Sequence, residues 1–224
     1  LTSFSNQLRT VANNQSNTSV TNFTIDTKKP GIIFVDPTDS SGYLVSRRDI
    51  LVNTSSSDIN NNYTIINLYR AGIINNTLWF NSSTSSYNNF STLDDGIYYF
   101  NATAYDLAGN KNTTGTNVII LDMTPPVVTV VNPAFHMNYI RNTTMTANVT
   151  DATAGVMEVA FEVHDKGTGL TYNLTDFTYP YSANLVTMPD SRYNITVRGS
   201  DYAGNNNYSD NRNFVLDRVP PTIR

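Results

Sequence analysis

The chain contains no cysteine, so no disulfide holds it together and a disulfide-stapled secreted scaffold is excluded. It has two Glu, two Gln and four Lys, too few to build the usual solvent face of a soluble helix. The net charge is −4 with only 14 basic residues. Without a basic cluster to neutralise phosphates, we expect no nucleic-acid partner. The longest apolar runs, such as VIIL at 118–121, are far too short to span a bilayer, so we expect no transmembrane segment in this stretch. Histidine occurs twice, as His136 and His164, without the spacing of a metal-binding pair. No G-x-S-x-G elbow or Walker loop is found, and we expect no enzyme.

Tyr, Thr, Val, Ile and Phe are abundant, and they suit a pleated, half-buried surface. The fold class expected is all-β. Asparagine is the other signal. With 31 Asn and 49 Ser plus Thr, random placement gives about six or seven N-x-Ser/Thr glycan acceptors. The chain has fifteen: Asn14, Asn17, Asn22, Asn53, Asn62, Asn75, Asn81, Asn89, Asn101, Asn112, Asn142, Asn148, Asn173, Asn194 and Asn207. An Asn- and Thr-rich composition alone accounts for fewer than half of these.

One stretch recurs. Residues 105–126 read YDLAGNKNTTGTNVIILDMTPP, residues 202–221 read YAGNNNYSDNRNFVLDRVPP, and residues 11–30 read VANNQSNTSVTNFTIDTKKP. Ala12, Ala108 and Ala203 correspond, as do Asn14, Asn110 and Asn205. Asp26, Asp122 and Asp217 close the unit, followed by Pro30, Pro126 and Pro221. A period near 95 residues marks tandem domains rather than a short-repeat solenoid. Residues 1–26 read as the C-terminal strands of a preceding domain, 27–122 and 123–217 as two full domains, and 218–224 as the start of another. That division is expected of a segment of a longer array, or of a subunit whose ends complete a neighbour.

Each full unit opens with a proline-bounded edge strand, PGIIFVDP at 30–37 and PVVTVVNP at 126–133. Alternation then marks further strands. Met145, Ala147 and Val149 face one way in 144–150, and Met157, Val159, Phe161 and Val163 in 157–164. The sixth strand is the clearest, with Tyr98, Phe100, Ala102 and Ala104 on one face and Tyr193, Ile195 and Val197 in its counterpart. Phe4 and Leu8 keep this register in the N-terminal remnant. The seventh strand carries Phe23 and Ile25, then Ile119 and Leu121, then Phe214 and Leu216. Seven short strands in about 95 residues read as an immunoglobulin-like antiparallel β-sandwich, repeated in tandem. Tyr98 and Tyr193 stand where a tyrosine corner would form, and equally where a plain core aromatic would. Asn22, Asn101, Asn148 and Asn194 fall opposite the apolar face. Asn53 joins them if Ile50 and Val52 face inward, whereas the registers of Asn62 and Asn81 stay open.

D-x-A-G-N after an alternating strand, followed by a strand ending D-x-T/V-P-P, occurs as Asp106–Asn110 with Asp122–Pro126 and as Asp201–Asn205 with Asp217–Pro221. This pattern resembles the Ig-like repeat domains of bacterial and archaeal cell-surface proteins. The first remnant departs from it, with Thr10 for the loop Asp and Asn13 for the Gly. The resemblance implies an extracellular, non-enzymatic module of a surface filament, surface layer or adhesin. Archaeal members are typically rich in N-glycans and poor in disulfides. We expect covalent N-glycans and self-association into a filament or lattice, or alternatively an adhesin stalk.

In such a sandwich the loops after strands two and six approach the incoming linker. Asp122 would then meet Asp151 and Asp201, and Asp26 would meet Asp58 and Asp106. Such hard oxygen ligands suit calcium, the sole cofactor we consider. The competing reading is an Asx-type turn at each loop Asp, with Gly109 or Gly204 at positive φ. The Pro-Pro linkers, Thr124-Pro125-Pro126 and Val219-Pro220-Pro221, predict stiff junctions, with Lys28-Lys29-Pro30 one proline looser.

Overall fold

The computed structural model describes residues 2–4, 23–81, 84–134, 139–140 and 143–222. Leu8, Thr10, Ala12, Asn13, Asn14, Asn17, Asn22, His136 and Asn142 lie outside the described residues. The elements are all strands among the described residues. At the N-terminus β1 (Thr2–Phe4) pairs antiparallel with β2 (Phe23–Ile25). The first full repeat supplies β3 (Gly31–Phe34), β4 (Tyr43–Val45), β5 (Ile50–Ser57), β6 (Asn61–Arg70), β7 (Ile73–Asn81), β8 (Ser85–Phe90), β9 (Gly96–Asp106), β10 (Lys111–Thr113) and β11 (Asn117–Leu121). The second supplies β12 (Val127–Asn132), β13 (Tyr139–Ile140), β14 (Thr144–Thr150), β15 (Val156–Asp165), β16 (Thr171–Asp176), β17 (Ser182–Asn184), β18 (Ser191–Asp201), β19 (Asn206–Tyr208) and β20 (Arg212–Leu216).

Both repeats use one topology. A three-stranded sheet, β3-β5-β8 or β12-β14-β17, accompanies a six-stranded one, β4-β11-β9-β6-β7 with β10 on β9, or β13-β20-β18-β15-β16 with β19 on β18. Each repeat has nine strands among the described residues, where seven were expected. One of these, β4 or β13, runs parallel to the last strand, which corrects an all-antiparallel expectation. The reason is the proline that ends the opening strand, Pro37 or Pro133. It has no N–H for the ladder, and the chain resumes pairing in the other sheet.

The chain divides into two compact units. One comprises Leu1–Asp39, Ile50–Phe90 and Tyr99–Asn117, the other Ser40–Asp49, Ser91–Tyr98 and Val118–Arg224. In the first, Ile32, Ile50, Val52, Ile66, Leu68, Phe90, Phe100, Ala102 and Ala104 are buried. Phe34 of β3 meets Phe100 of β9 edge to face at 5.5 Å between centroids. β6 and β7 form a hairpin turned through Ala71 (φ 51°) and Gly72 (φ 79°), the double positive φ that a two-residue hairpin turn needs.

In the second unit, Val130, Met145, Ala147 and Val149 from one sheet pack with Val159, Phe161, Val163, Ile195, Val197, Phe214 and Leu216 from the other. Each Val, Ile, Leu, Phe or Met among them contributes about 1.5–3 kcal/mol on full burial. Gly199 lets the layers close, since a Cβ there would lie 2.8 Å from Val149 Cγ1 and 2.9 Å from Val128 Cγ2. Met157 does not join this core. A bulge between Val156 and Glu158 turns it outward, where it is 38% exposed. The tyrosine corners are formed. Tyr98 donates its hydroxyl to the Asp94 carbonyl at 3.0 Å, and Tyr193 to that of Pro189 at 2.7 Å. Burial first, then the nearby Asp165 carboxylate, pushes the Tyr193 phenol up to about 12.

Candidate functional site

In the second unit, β11 delivers Asp122 at its C-terminal end, fully buried. Its Oδ1 accepts the Thr124 N–H at 3.0 Å and its Oδ2 the Ala154 N–H at 2.9 Å. Asp151 Oδ1 accepts the N–H groups of Thr153, Ala154 and Gly155 at 3.1, 2.8 and 2.8 Å. Asp201, at the end of β18, takes the Asn205 backbone N–H on Oδ1 and the Asn205 Nδ2 on Oδ2, both at 2.9 Å. Each of the three carboxylates has an oxygen within 4.8 Å of the others.

The first unit repeats the arrangement. Asp26, Asp58 and Asp106 form the same triad within 4.8 Å. Asp106 accepts the N–H of Asn110 and its Nδ2, both at 2.8 Å. Asp26 takes the Lys28 N–H at 3.0 Å and the Asn60 Nδ2 at 2.7 Å, and Asp58 takes the Asn60 N–H at 2.8 Å. Both triads expected from the sequence are therefore brought together. The Asx turns are formed as well, with Gly109 at φ 88° and Gly204 at φ 92°. The two readings are compatible, because each carboxylate has about four lone-pair sites and these bonds use at most three of them.

The triads differ in electrostatics. The Asn60 amide first, then the Lys28 N–H, holds the half-buried Asp26 carboxyl below its ordinary range. Burial first, with the Asp151 and Asp201 charges adding to it, holds the Asp122 carboxyl above its ordinary range against the hydrogen bonds of Thr124 and Ala154. Three arginines of this unit pair with carboxylates outside the triad, Arg47 with Asp49, Arg198 with Glu158 and Arg218 with Asp190. A hard cation at the Asp122 triad would offset the like charges of its three carboxylates.

Further contacts surround each triad. Asn205 Nδ2 also donates to the Asp122 carbonyl at 2.9 Å, and the Ser46 hydroxyl donates to Asn205 Oδ1. Asn110 Nδ2 makes the same bond to the Asp26 carbonyl at 3.0 Å. Asp95 accepts the Met123 N–H at 3.0 Å and the Thr124 hydroxyl at 2.5 Å. At the equivalent place Asp190 accepts the Arg218 N–H at 2.9 Å and its Nε at 2.7 Å. Sequence reasoning missed Asp95 and Asp190, although the 95-residue offset between them matches that of Asp122 and Asp217.

Among the acceptor asparagines, Asn75, Asn81, Asn89, Asn112, Asn148, Asn173 and Asn207 are exposed. Asn101 and Asn194 are half-buried and lie opposite the apolar face, as expected of them and of Asn148. Ile50 and Val52 do face inward, which puts Asn53 on the outer side. There its Nδ2 is bound to the Asp36 carbonyl at 2.7 Å and its Oδ1 is buried, so it is poorly placed for a sugar. Asn62 shares a face with the buried Thr64, Ile66 and Leu68. Asn207 is exposed, but its Nδ2 is bound to the Pro126 carbonyl at 2.8 Å.

Residues 126–197 match the Bacterial Ig domain family. Among solved structures, the chain is similar to the fibronectin(III)-like modules of Clostridium thermocellum CbhA, with 14% identity over 83% of this chain and 93% of that one and a TM-score of 0.38. It is similar to the FN1–FN3 domains of chicken CNTN1, with 15% identity over 88% and 70% and a TM-score of 0.41. A multidomain segment of titin gives 11% identity over 83% and 64% and a TM-score of 0.46. No curated protein sequence matches. The second repeat thus matches the Bacterial Ig domain family over 126–197, and the first repeat shares its strand order.

Proposed function

We propose that this chain is a structural, N-glycosylated extracellular building block of an archaeal surface filament or surface layer, and that its role is mechanical rather than catalytic. The observation that carries the reading is the hydrogen-bonded linker of the second unit. Asp122, Met123 and Thr124 are held by Asn205, Ala154 and Asp95, and two prolines follow. Proline fixes φ and keeps such a linker extended, which supports a mechanical role. The fold alone does not specify this role. The excess of acceptors and the exposure of seven of them support the glycoprotein element.

The alternative is an adhesin stalk that presents a binding domain outside this segment. The two predict different self-association. Sedimentation of the native glycoprotein across a concentration series should show growing oligomers for a filament or lattice subunit. A monomer at every concentration would favour the stalk.

The triads favour a second element, calcium at the junctions. Asp122, Asp151 and Asp201, or Asp26, Asp58 and Asp106, would supply hard carboxylate oxygens. The convergence of three carboxylates within 4.8 Å in each unit is the observation that favours a bound cation.

A further inference from the structure

In the first unit, the exposed aromatic rings among the described residues are Trp79, Tyr87 and Tyr99, at 62%, 51% and 39% exposure. Each stands two residues before an acceptor asparagine on the same strand: Trp79 and Asn81 on β7, Tyr87 and Asn89 on β8, Tyr99 and Asn101 on β9. Acceptors make up about one residue in fifteen of this chain, so random scatter rarely gives three such coincidences out of three. In the second unit, none of the exposed aromatics Tyr43, Phe177, Tyr179, Tyr202 and Tyr208 has this spacing.

We infer that the pairs on β7 and β8 are glycan seats, in which the first sugars on Asn81 and Asn89 pack their apolar face against Trp79 and Tyr87; at the third pair the Asn101 Nδ2 donates to the Thr116 hydroxyl at 3.3 Å. The inference rests on the glycosylation reading and gives its sugars a structural task. Residues i and i+2 of a strand point to the same face about 7 Å apart, and side chains on a sheet lean along the strand. A pyranose ring has a face of C–H groups with partial positive charge. It complements the negative face of an aromatic quadrupole, while the hydroxyls stay in water. Exposed aromatic rings left bare in water would favour association, and an attached sugar covers them.

The Trp79 seat is the best prepared. One side of its ring rests on Tyr63, with centroids 5.1 Å apart. Tyr63 in turn stacks on Tyr105 at 4.5 Å and 18°, and the Lys111 ammonium lies 5.9 Å from the Tyr105 ring. The ladder props the indole and limits the entropy lost on seating a sugar. Asn81 is the direct cross-strand neighbour of Tyr63, so a sugar on it starts beside the ladder.

Trp79 is the sole tryptophan, and its fluorescence therefore reports this seat alone. The experiment compares native glycoprotein with Asn81→Gln, Trp79→Thr, the double variant and Asn148→Gln, after mapping occupancy by glycopeptide mass spectrometry. Asn81→Gln should shift the emission to longer wavelength and raise quenching by acrylamide, and Asn148→Gln should do neither. Trp79→Thr should lower Tm by several degrees more when Asn81 carries its sugar than in the Asn81→Gln background. An occupied Asn81 with unchanged emission and additive Tm losses would overturn the seating. Sugars on Asn148 and Asn173 with a bare Asn81 would overturn it too and leave the glycoprotein reading standing. Bare asparagines throughout would remove both.

Discussion

Asn205 holds Asp122 by its backbone: its Nδ2 reaches the Asp122 carbonyl at 2.9 Å while binding the Asp201 carboxylate at 2.9 Å. One side chain thus ties the end of β11 to the end of β18. Asn205→Ala removes both bonds and strands a carbonyl of a fully buried residue. The second unit should lose about 1–3 kcal/mol, read as a lower midpoint in urea denaturation. Asn148→Ala, on an exposed outer face, should change the midpoint little.

Gly199→Ala should also destabilise the second unit, here through crowding. The added Cβ meets Val149 and Val128 from the facing sheet below 3 Å, and overpacking of this kind costs about 1–3 kcal/mol. Ala104 holds the corresponding place in the first repeat, so Ala104→Gly should not relieve any strain there and should lower stability. Thermal unfolding of both variants checks the pair.

Strands with strict alternation and single-sided burial were legible before the structure. β9, β14 and β18 show it, and with them the outward placement of Asn101, Asn148 and Asn194. The carboxylate triads were legible because the repeat offset and the sandwich topology together fix which loops meet. β4, β10, β13 and β19 are two or three residues long, too short for a period to register. The bulge that exposes Met157 leaves no mark in the hydrophobic pattern. Asp95 and Asp190 act on backbone 28 residues away, and nothing local to either announces that. The Trp79–Tyr63–Tyr105 ladder required the register of β6 against β7, which a mixed apolar pattern left open.

The second unit should lose stability in acid. Burial works against Asp95, yet the Thr124 hydroxyl and Met123 N–H hold it below 3.8. The Ser191 hydroxyl lowers Asp165, and the Arg218 backbone N–H, then its side chain, lowers Asp190. Unfolded, these groups bind protons at higher pH than when folded. Their contribution is present above 3.8 and is lost as pH falls through the folded values below it. Asp122 runs the other way. Its folded value is raised by burial first, so its contribution is full below 3.8 and is lost as pH rises through the folded value. Urea midpoints against pH should fall toward the acid end, and Asp122→Asn should remove the loss on the rising side.

Calcium should stabilise the junctions. For an extracellular-type site with a dissociation constant of about 0.1 mM, calcium at about 100 times that concentration adds about 2.7 kcal/mol. Tm should rise by several degrees in the native chain. Asp201→Asn should abolish the response of the Asp122 triad alone. An unchanged Tm on calcium addition or chelation would leave the triads as hydrogen-bonded turns.

Site-resolved glycopeptide mass spectrometry of native material decides whether the proposed glycans are present. The account predicts sugars on Asn75, Asn81, Asn89, Asn112, Asn148 and Asn173, all exposed. It predicts little or none on Asn53, whose amide is held by the Asp36 carbonyl. Unmodified asparagines at the exposed positions would contradict the account and leave an Asn-rich Ig-like stalk as the better reading.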